Sequence, residues 1–160
     1  MLNVSSGTLL GHIMRREGIT MDLEKVNAIL STLAPTTAMF RSQFLGQIQW
    51  HSWMLQYLAD FATPLHMAVH KMPFWWMEIE EEAYQALKIM LSHAQVVQNP
   101  DWSQPFHVFV NASDVAIGSV LMQMTPPKWY RLVYYVSRRL SVAEKNYSMM
   151  EQEALGMIYC

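Results

Sequence analysis

The chain has 160 residues, 52% of them apolar and 15% charged, and a formal net charge of −2. Such a composition supports one medium or two small domains around a buried core and excludes a disordered chain. It also lacks the basic excess of a free-standing nucleic-acid binder, any apolar run near the roughly 18 residues of a membrane span, and, with Cys160 alone, any internal disulfide or cysteine-built zinc site.

The opening stretch, Met1 to Gly7, has neither the basic head nor the apolar run of a signal peptide. An intracellular protein is therefore expected, and the sequons at Asn3, Asn111 and Asn146 are read as unmodified. Leu9 to Met14 and Arg15 to Ile19 read as two short extended pieces around a polar turn. Asp22 caps a helix through Ser31, with Leu23, Val26, Ile29 and Leu30 on one face. Pro35 breaks it. Thr37 caps the next helix, where Phe40, Phe44, Leu45 and Ile48 are spaced for burial. A further helical stretch runs from Ser52 to near Pro64, and a short one from Leu65 to His70. Ile79 to Leu91 is a helix with Ile79, Ala83, Ala86, Leu87 and Met90 inward and Glu80, Glu81 and Glu82 in the first turn, where acidic groups suit the helix dipole.

Beyond Asn99-Pro100-Asp101 the pattern turns to strands. Phe106–Val110, Val115–Met124 and Arg131–Val136 are rich in branched and aromatic residues, with Pro126-Pro127 in the loop between the last two. Ser141-Val142-Ala143-Glu144 is a capping box expected to open a helix that carries Tyr147, Met150, Ala154 and Ile158 inward. The order is helical for about 100 residues and then three strands and a helix, an α+β chain.

Four groups of residues resemble, in order and spacing, the gypsy-type LTR retrotransposon polyprotein. They are Leu10-Gly11-His12 with Gly18-Ile19; Asp22-x-x-Lys25-Val26-x-Ala28-Ile29 with Pro35-Thr36; and Phe44-Leu45-Gly46 with Ala62-x-Pro64-Leu65. The last and most specific group is Asn111-Ala112-Ser113-Asp114-x-x-Ile117-Gly118-x-Val120-Leu121, Tyr135-x-Ser137-Arg138-x-Leu140, Glu144-x-Asn146-Tyr147-Ser148 and Glu151-x-Glu153-Ala154-Leu155. The resemblance implies that residues 1–99 are the palm-end hairpin and thumb/connection helices of a reverse transcriptase. Residues 100–160 would be the N-terminal part of a truncated RNase H-like domain, three antiparallel strands and the first helix.

The resemblance also implies a chemistry. RNase H cleavage uses divalent cations held by clustered carboxylates, and Mg²⁺ takes charged oxygen ligands in near-octahedral order. The implied cofactor is Mg²⁺, and the implied partners are an RNA–DNA hybrid and the remainder of the polyprotein. Matched by motif, the first catalytic carboxylate position is Asn111, an amide in place of aspartate, and the second is Glu153. Glu153 alone reads more readily as an exposed helix glutamate. The expected function is a polymerase/RNase H segment that is catalytically silent by itself; a nuclease within a longer product and a domesticated interaction module are the alternatives.

Other candidates are weaker. His66 and His70 stand at i, i+4 without the glutamate of a zinc hydrolase motif between them. Trp75-Trp76, Trp129-Tyr130 and Tyr134-Tyr135 can stack bases, with core or rim packing the commoner role. Arg138-Arg139 can touch phosphate. The chain holds 14 Met against 6 Gly, and several departures from the family pattern share a type. Met149-Met150 replace a threonine pair, Met77 another threonine, Trp53 a common arginine and Asn111 the aspartate. Each is one C-to-T or G-to-A transition away, as expected if methylated cytosines in a silenced element had deaminated.

Overall fold

The computed structural model describes residues 6–68, 73–125 and 127–159. The His70 half of the His66/His70 pair, the sequon at Asn3, Pro126 and Cys160 lie outside them. The chain opens with a three-stranded antiparallel sheet, β1 (Ser6–Leu9), β2 (His12–Arg15) and β3 (Gly18–Met21). The sequence reading missed the first hairpin because its turn is Leu10-Gly11. Both residues have positive φ, 51° and 83°, the conformation that two-residue hairpin turns demand and that Asn-Gly usually signals.

Helices α1 (Leu23–Leu30) and α2 (Ala38–Trp50) follow, capped as expected. The Asp22 carboxylate accepts from the Glu24 amide, and the Thr37 hydroxyl accepts from the Phe40 amide. After a single 3₁₀ turn, Ser52–Met54, α3 runs from Leu58 to Ala68 with Pro64 inside it. The sequence reading ended a helix at that proline. The proline costs the Asp60 carbonyl its helical donor, but Leu58, Ala62, Leu65 and Ala68 are all buried around it, and their burial holds the helix together.

Helix α4 (Glu78–Ser92) turns a face inward that differs from the expected one. Glu80, Ala83, Tyr84, Leu87 and Leu91 are buried, whereas Ile79 is exposed. Glu80 is buried because it is a cap: its carboxylate accepts from the Met77 backbone amide at 3.1 Å. Tyr84 reaches the end of α1, donating to the Thr32 carbonyl at 2.8 Å.

The second sheet is β4 (Phe106–Ala112), β5 (Ala116–Thr125) and β6 (Trp129–Arg139), antiparallel and in that order. The segment before it staples the two sheets. Ile19 and Val97 exchange both backbone hydrogen bonds, at 2.7 and 3.0 Å, and the Gln98 amide donates to the Leu132 carbonyl. A side chain at Gly18 would place Cβ 2.4 Å from the Val97 carbonyl oxygen, so this close approach requires glycine. One hydrophobic core runs through both halves, from Val26, Phe44 and Ile48 through Leu87 to Leu132 and Tyr135.

The last helix, α5 (Met149–Tyr159), begins later than the Ser141 box suggested. That box forms, with Glu144 accepting from the Ser141 amide, but it closes only the 3₁₀ turn Glu144–Asn146. A second box starts the helix, in which Ser148 amide and hydroxyl both donate to the Glu151 carboxylate at 2.8 Å. The inward face is also shifted. Gln152 and Gly156 are buried, and Tyr147, Met150, Ala154 and Ile158 are exposed.

Candidate functional site

Two faces of the second sheet are covered by different elements. Tyr135 and Val120 pack into the core under α3 and the Ser52–Met54 turn. On the other face Gly156 of α5 sits against Val110, where an added Cβ would meet the valine Cγ1 at 2.4 Å. The Ser119 hydroxyl, paired across from Val110, donates to the Gly156 carbonyl.

Asn111 follows Val110 on β4. Because successive strand residues point to opposite faces, Asn111 shares the face of Phe109 and of its cross-strand partner Gly118, away from α5. Glu153, one turn before Gly156, stands exposed on α5. The two positions matched by motif are therefore carried by β4 and α5, with Asn111 on the sheet face away from that helix. Among the described residues no group of three or more His, Cys, Asp or Glu side chains is placed to hold a metal ion. Toward a cation Asn111 offers a neutral amide oxygen, and Glu153 a single charge. Losing a first-shell charge costs at least the roughly 10–100-fold that outer-shell changes cost.

The other sequence candidates divide by environment. Arg138 is engaged in a bidentate pair with Glu144, both bonds 2.8 Å, beneath the Tyr159 ring. That pairing raises the Arg138 pKa and holds the Glu144 carboxyl down to about 2. Tyr135 and Trp76 serve the core, whereas Trp75 and Trp129 are exposed. Trp53 is half-buried. It lies between His12 and Tyr134, stacked on the latter at 6.3 Å. His66 is partly buried, which lowers its pKa, with Arg139 acting in the same direction.

A groove that the sequence reading did not single out lies between α1 and α2. Lys25, Ala28 and Ile29 form one wall, and Gln43, Gly46, Gln47 and Trp50 the other. Its volume is about 890 Å³. The Trp50 indole donates to the Leu10 carbonyl at 3.2 Å, which fixes the ring at the groove's end. Lys25 folds over the hairpin turn, and a Cβ at Gly11 would lie 2.7 Å from its amine. Space above Gly46 is open, with no atom within 4 Å of an added Cβ. Polar groups, a cation and bare backbone thus line one surface. The signal for it was present: Gln43, Gln47 and Trp50 recur at helical spacing on the face of α2 opposite Phe44, Leu45 and Ile48.

Residues 76–160 match the RNase H-like domain found in reverse transcriptase. The chain is 31% identical, over 94% of its length, to the retrovirus-related Pol polyprotein from transposon opus of Drosophila melanogaster, covering 16% of that protein. It is 33% identical, over 83% of its length, to the Gag-Pol polyprotein of avian reticuloendotheliosis virus, covering 12% of it. The Tf2-3 transposon polyprotein of Schizosaccharomyces pombe is 28% identical over 93% of the chain and is covered to 11%. The chain thus spans less than a fifth of the length of these curated relatives. Among solved structures, the foamy viral protease-reverse transcriptase in complex with RNA/DNA hybrid superposes with a TM-score of 0.83 at 17% identity, over 97% of this chain and 21% of that one. The same protein in complex with dsDNA gives 0.82 at 17% identity, over 98% and 33%. At that identity the likeness shows the fold.

Proposed function

The chain belongs to the family of RNase H-like domains found in reverse transcriptase, and from that premise we propose that it grips an RNA–DNA hybrid without cutting it. The observation that carries this reading is Asn111, an amide at the position where the family places its first catalytic carboxylate. A gypsy-type element is the source this reading favours. Residues 1–99 then supply the grip and residues 100–160 the start of an RNase H-like domain.

The α1–α2 groove supports the gripping role. Lys25 supplies a charge for a backbone phosphate. The carboxamides of Gln43 and Gln47 carry donors and acceptors for sugar and base edges, and the open backbone at Gly46 allows close approach. With a single lysine in the groove, binding is weak and loses little with salt, since the slope follows the number of phosphates neutralised.

Two assays test the reading. Labelled RNA–DNA hybrid is incubated with the 160-residue chain and Mg²⁺, beside Asn111→Asp. No cleavage by the wild-type chain is expected, and cleavage that is abolished by Glu153→Gln would make this an enzyme. Hybrid binding is measured in parallel. Lys25→Gln is expected to weaken it several-fold and to reduce the salt slope by about one; unchanged affinity in Lys25→Gln and Gln47→Ala removes the groove from the argument.

A further inference from the structure

A second cleft opens on the face of the sheet that carries Asn111. It has a volume of about 450 Å³, within the usual range for small-ligand sites. Gln56 and Tyr57, in the loop before α3, form one wall, and Phe109, Asn111 and Tyr135 rise from the sheet opposite. None of the lining residues is charged. Phe109 and Tyr57 are 45% and 42% exposed, so both rings are open to a ligand. Tyr57 has φ of 56°, a left-handed conformation that a bulky residue adopts only when its surroundings impose it. Residues held in such conformations cluster at ligand clamps.

We propose that this cleft holds a single unstacked nucleobase, gripped by the Tyr57 and Phe109 rings and read by the carboxamides of Asn111 and Gln56. The lining selects the ligand by chemistry. An uncharged pocket disfavours a phosphate or a carboxylate. Aromatic faces stack on any base. Each carboxamide presents a donor beside an acceptor, the pattern that pairs with the edge of a base. The same argument gives Asn111 a use. An aspartate there would only accept, whereas the amide both donates and accepts. The inference rests on the nucleic-acid reading above and extends it from duplex to single-stranded nucleic acid.

Uncharged nucleosides are the probe, because they bring no phosphate to the α1–α2 groove. Adenosine, guanosine, cytidine and uridine are titrated into the full 160-residue chain, with amide and side-chain NMR shifts as the readout. Saturable shifts at the carboxamides of Asn111 and Gln56 and in the Tyr57 and Phe109 rings are expected for at least one nucleoside. Asn111→Asp should weaken that binding about fivefold, the weight of one hydrogen bond, and Tyr57→Ala more. Asn111 is exposed at the end of its strand, so Asn111→Asp keeps the fold, and an unchanged amide spectrum elsewhere verifies it. Shifts absent from these residues up to nucleoside saturation, or binding unaltered in both Asn111→Asp and Tyr57→Ala, overturns the proposal. Hybrid binding that persists while nucleosides fail to bind sinks the cleft and leaves the groove standing; hybrid affinity unchanged in Lys25→Gln with nucleoside binding intact does the reverse.

Discussion

His12 on β2 and His51 after α2 meet with ring nitrogens 3.2 Å apart. Both are buried, and Trp50 and Trp53 flank the His12 ring. Burial lowers the His51 pKa to about 4, with His12 and Lys25 adding in the same direction, and burial with Lys25 lowers that of His12. The unfolded chain therefore takes up protons first, near the ordinary histidine value of about 6.5. Stability from the neutral pair is complete above that pH, declines as the pH falls toward about 4, and levels off below it. Glu144 works in a separate window. Its carboxyl, held at about 2 chiefly by Arg138, contributes stability above its ordinary value that is lost as the pH falls through about 2. Urea midpoints followed from pH 7 to pH 2 should thus fall in two stages. His51→Gln should shrink the first stage, of which His12 and His66 keep a part, and Glu144→Gln should shrink the second; a first stage undiminished in His51→Gln would assign it elsewhere.

At the scale of elements, α5 offers two opposed tests. Ser148 caps it through Glu151, so Ser148→Ala should cost about 1 kcal/mol in thermal or chemical unfolding. Gly156→Ala would ordinarily stabilise a helix by up to about 1 kcal/mol. Here the new Cβ meets Val110 Cγ1 at 2.4 Å, and a branched side chain on a paired strand yields little. Overpacking costs about 1–3 kcal/mol, so net destabilisation is expected; a rise in the melting midpoint would mean that α5 sits further from β4. The same helix marks where sequence reasoning ran out. Cap residues and strand patterns act locally, and Asp22, Thr37 and β4 to β6 were legible from them. Which stripe of α4 or α5 turns inward depends on partners distant in sequence. Burial of Glu80 as a cap, and a glycine contact at Gly156, carry no hydrophobic signal. The first hairpin was hidden because Leu10 takes the conformation usually given to asparagine. At the site, motif spacing located Asn111 and Glu153 on β4 and α5, but only the pleat of β4 reveals that Asn111 faces away from α5. One wall of the α1–α2 groove was legible in the spacing of Gln43, Gln47 and Trp50, whereas the Tyr57 cleft joins residues from separate elements and no local pattern announced it.

For the molecule as a whole, the stripe once expected to be core has become surface. Met150 and Ile158 are 81% and 83% exposed, and Met157 lies with them on the outer side of α5. Three large apolar side chains on one helical face, with Glu153 their charged neighbour, form an adhesive patch in water. The outer edge of β4 adds to it, because no described strand pairs there and its backbone groups can template another chain. A net charge of −2 gives little repulsion against association. The chain should therefore self-associate as its concentration rises. Charging the stripe separates the two surfaces: Met150→Lys with Ile158→Lys removes the helix patch and leaves the strand edge. Since both side chains make little contact with the core, the unfolding free energy should stay within about 0.5 kcal/mol of wild type. Sedimentation velocity over a hundredfold concentration range should then show a larger monomer fraction for the double variant. An unchanged distribution would shift the cause of association from α5 to the open edge of β4.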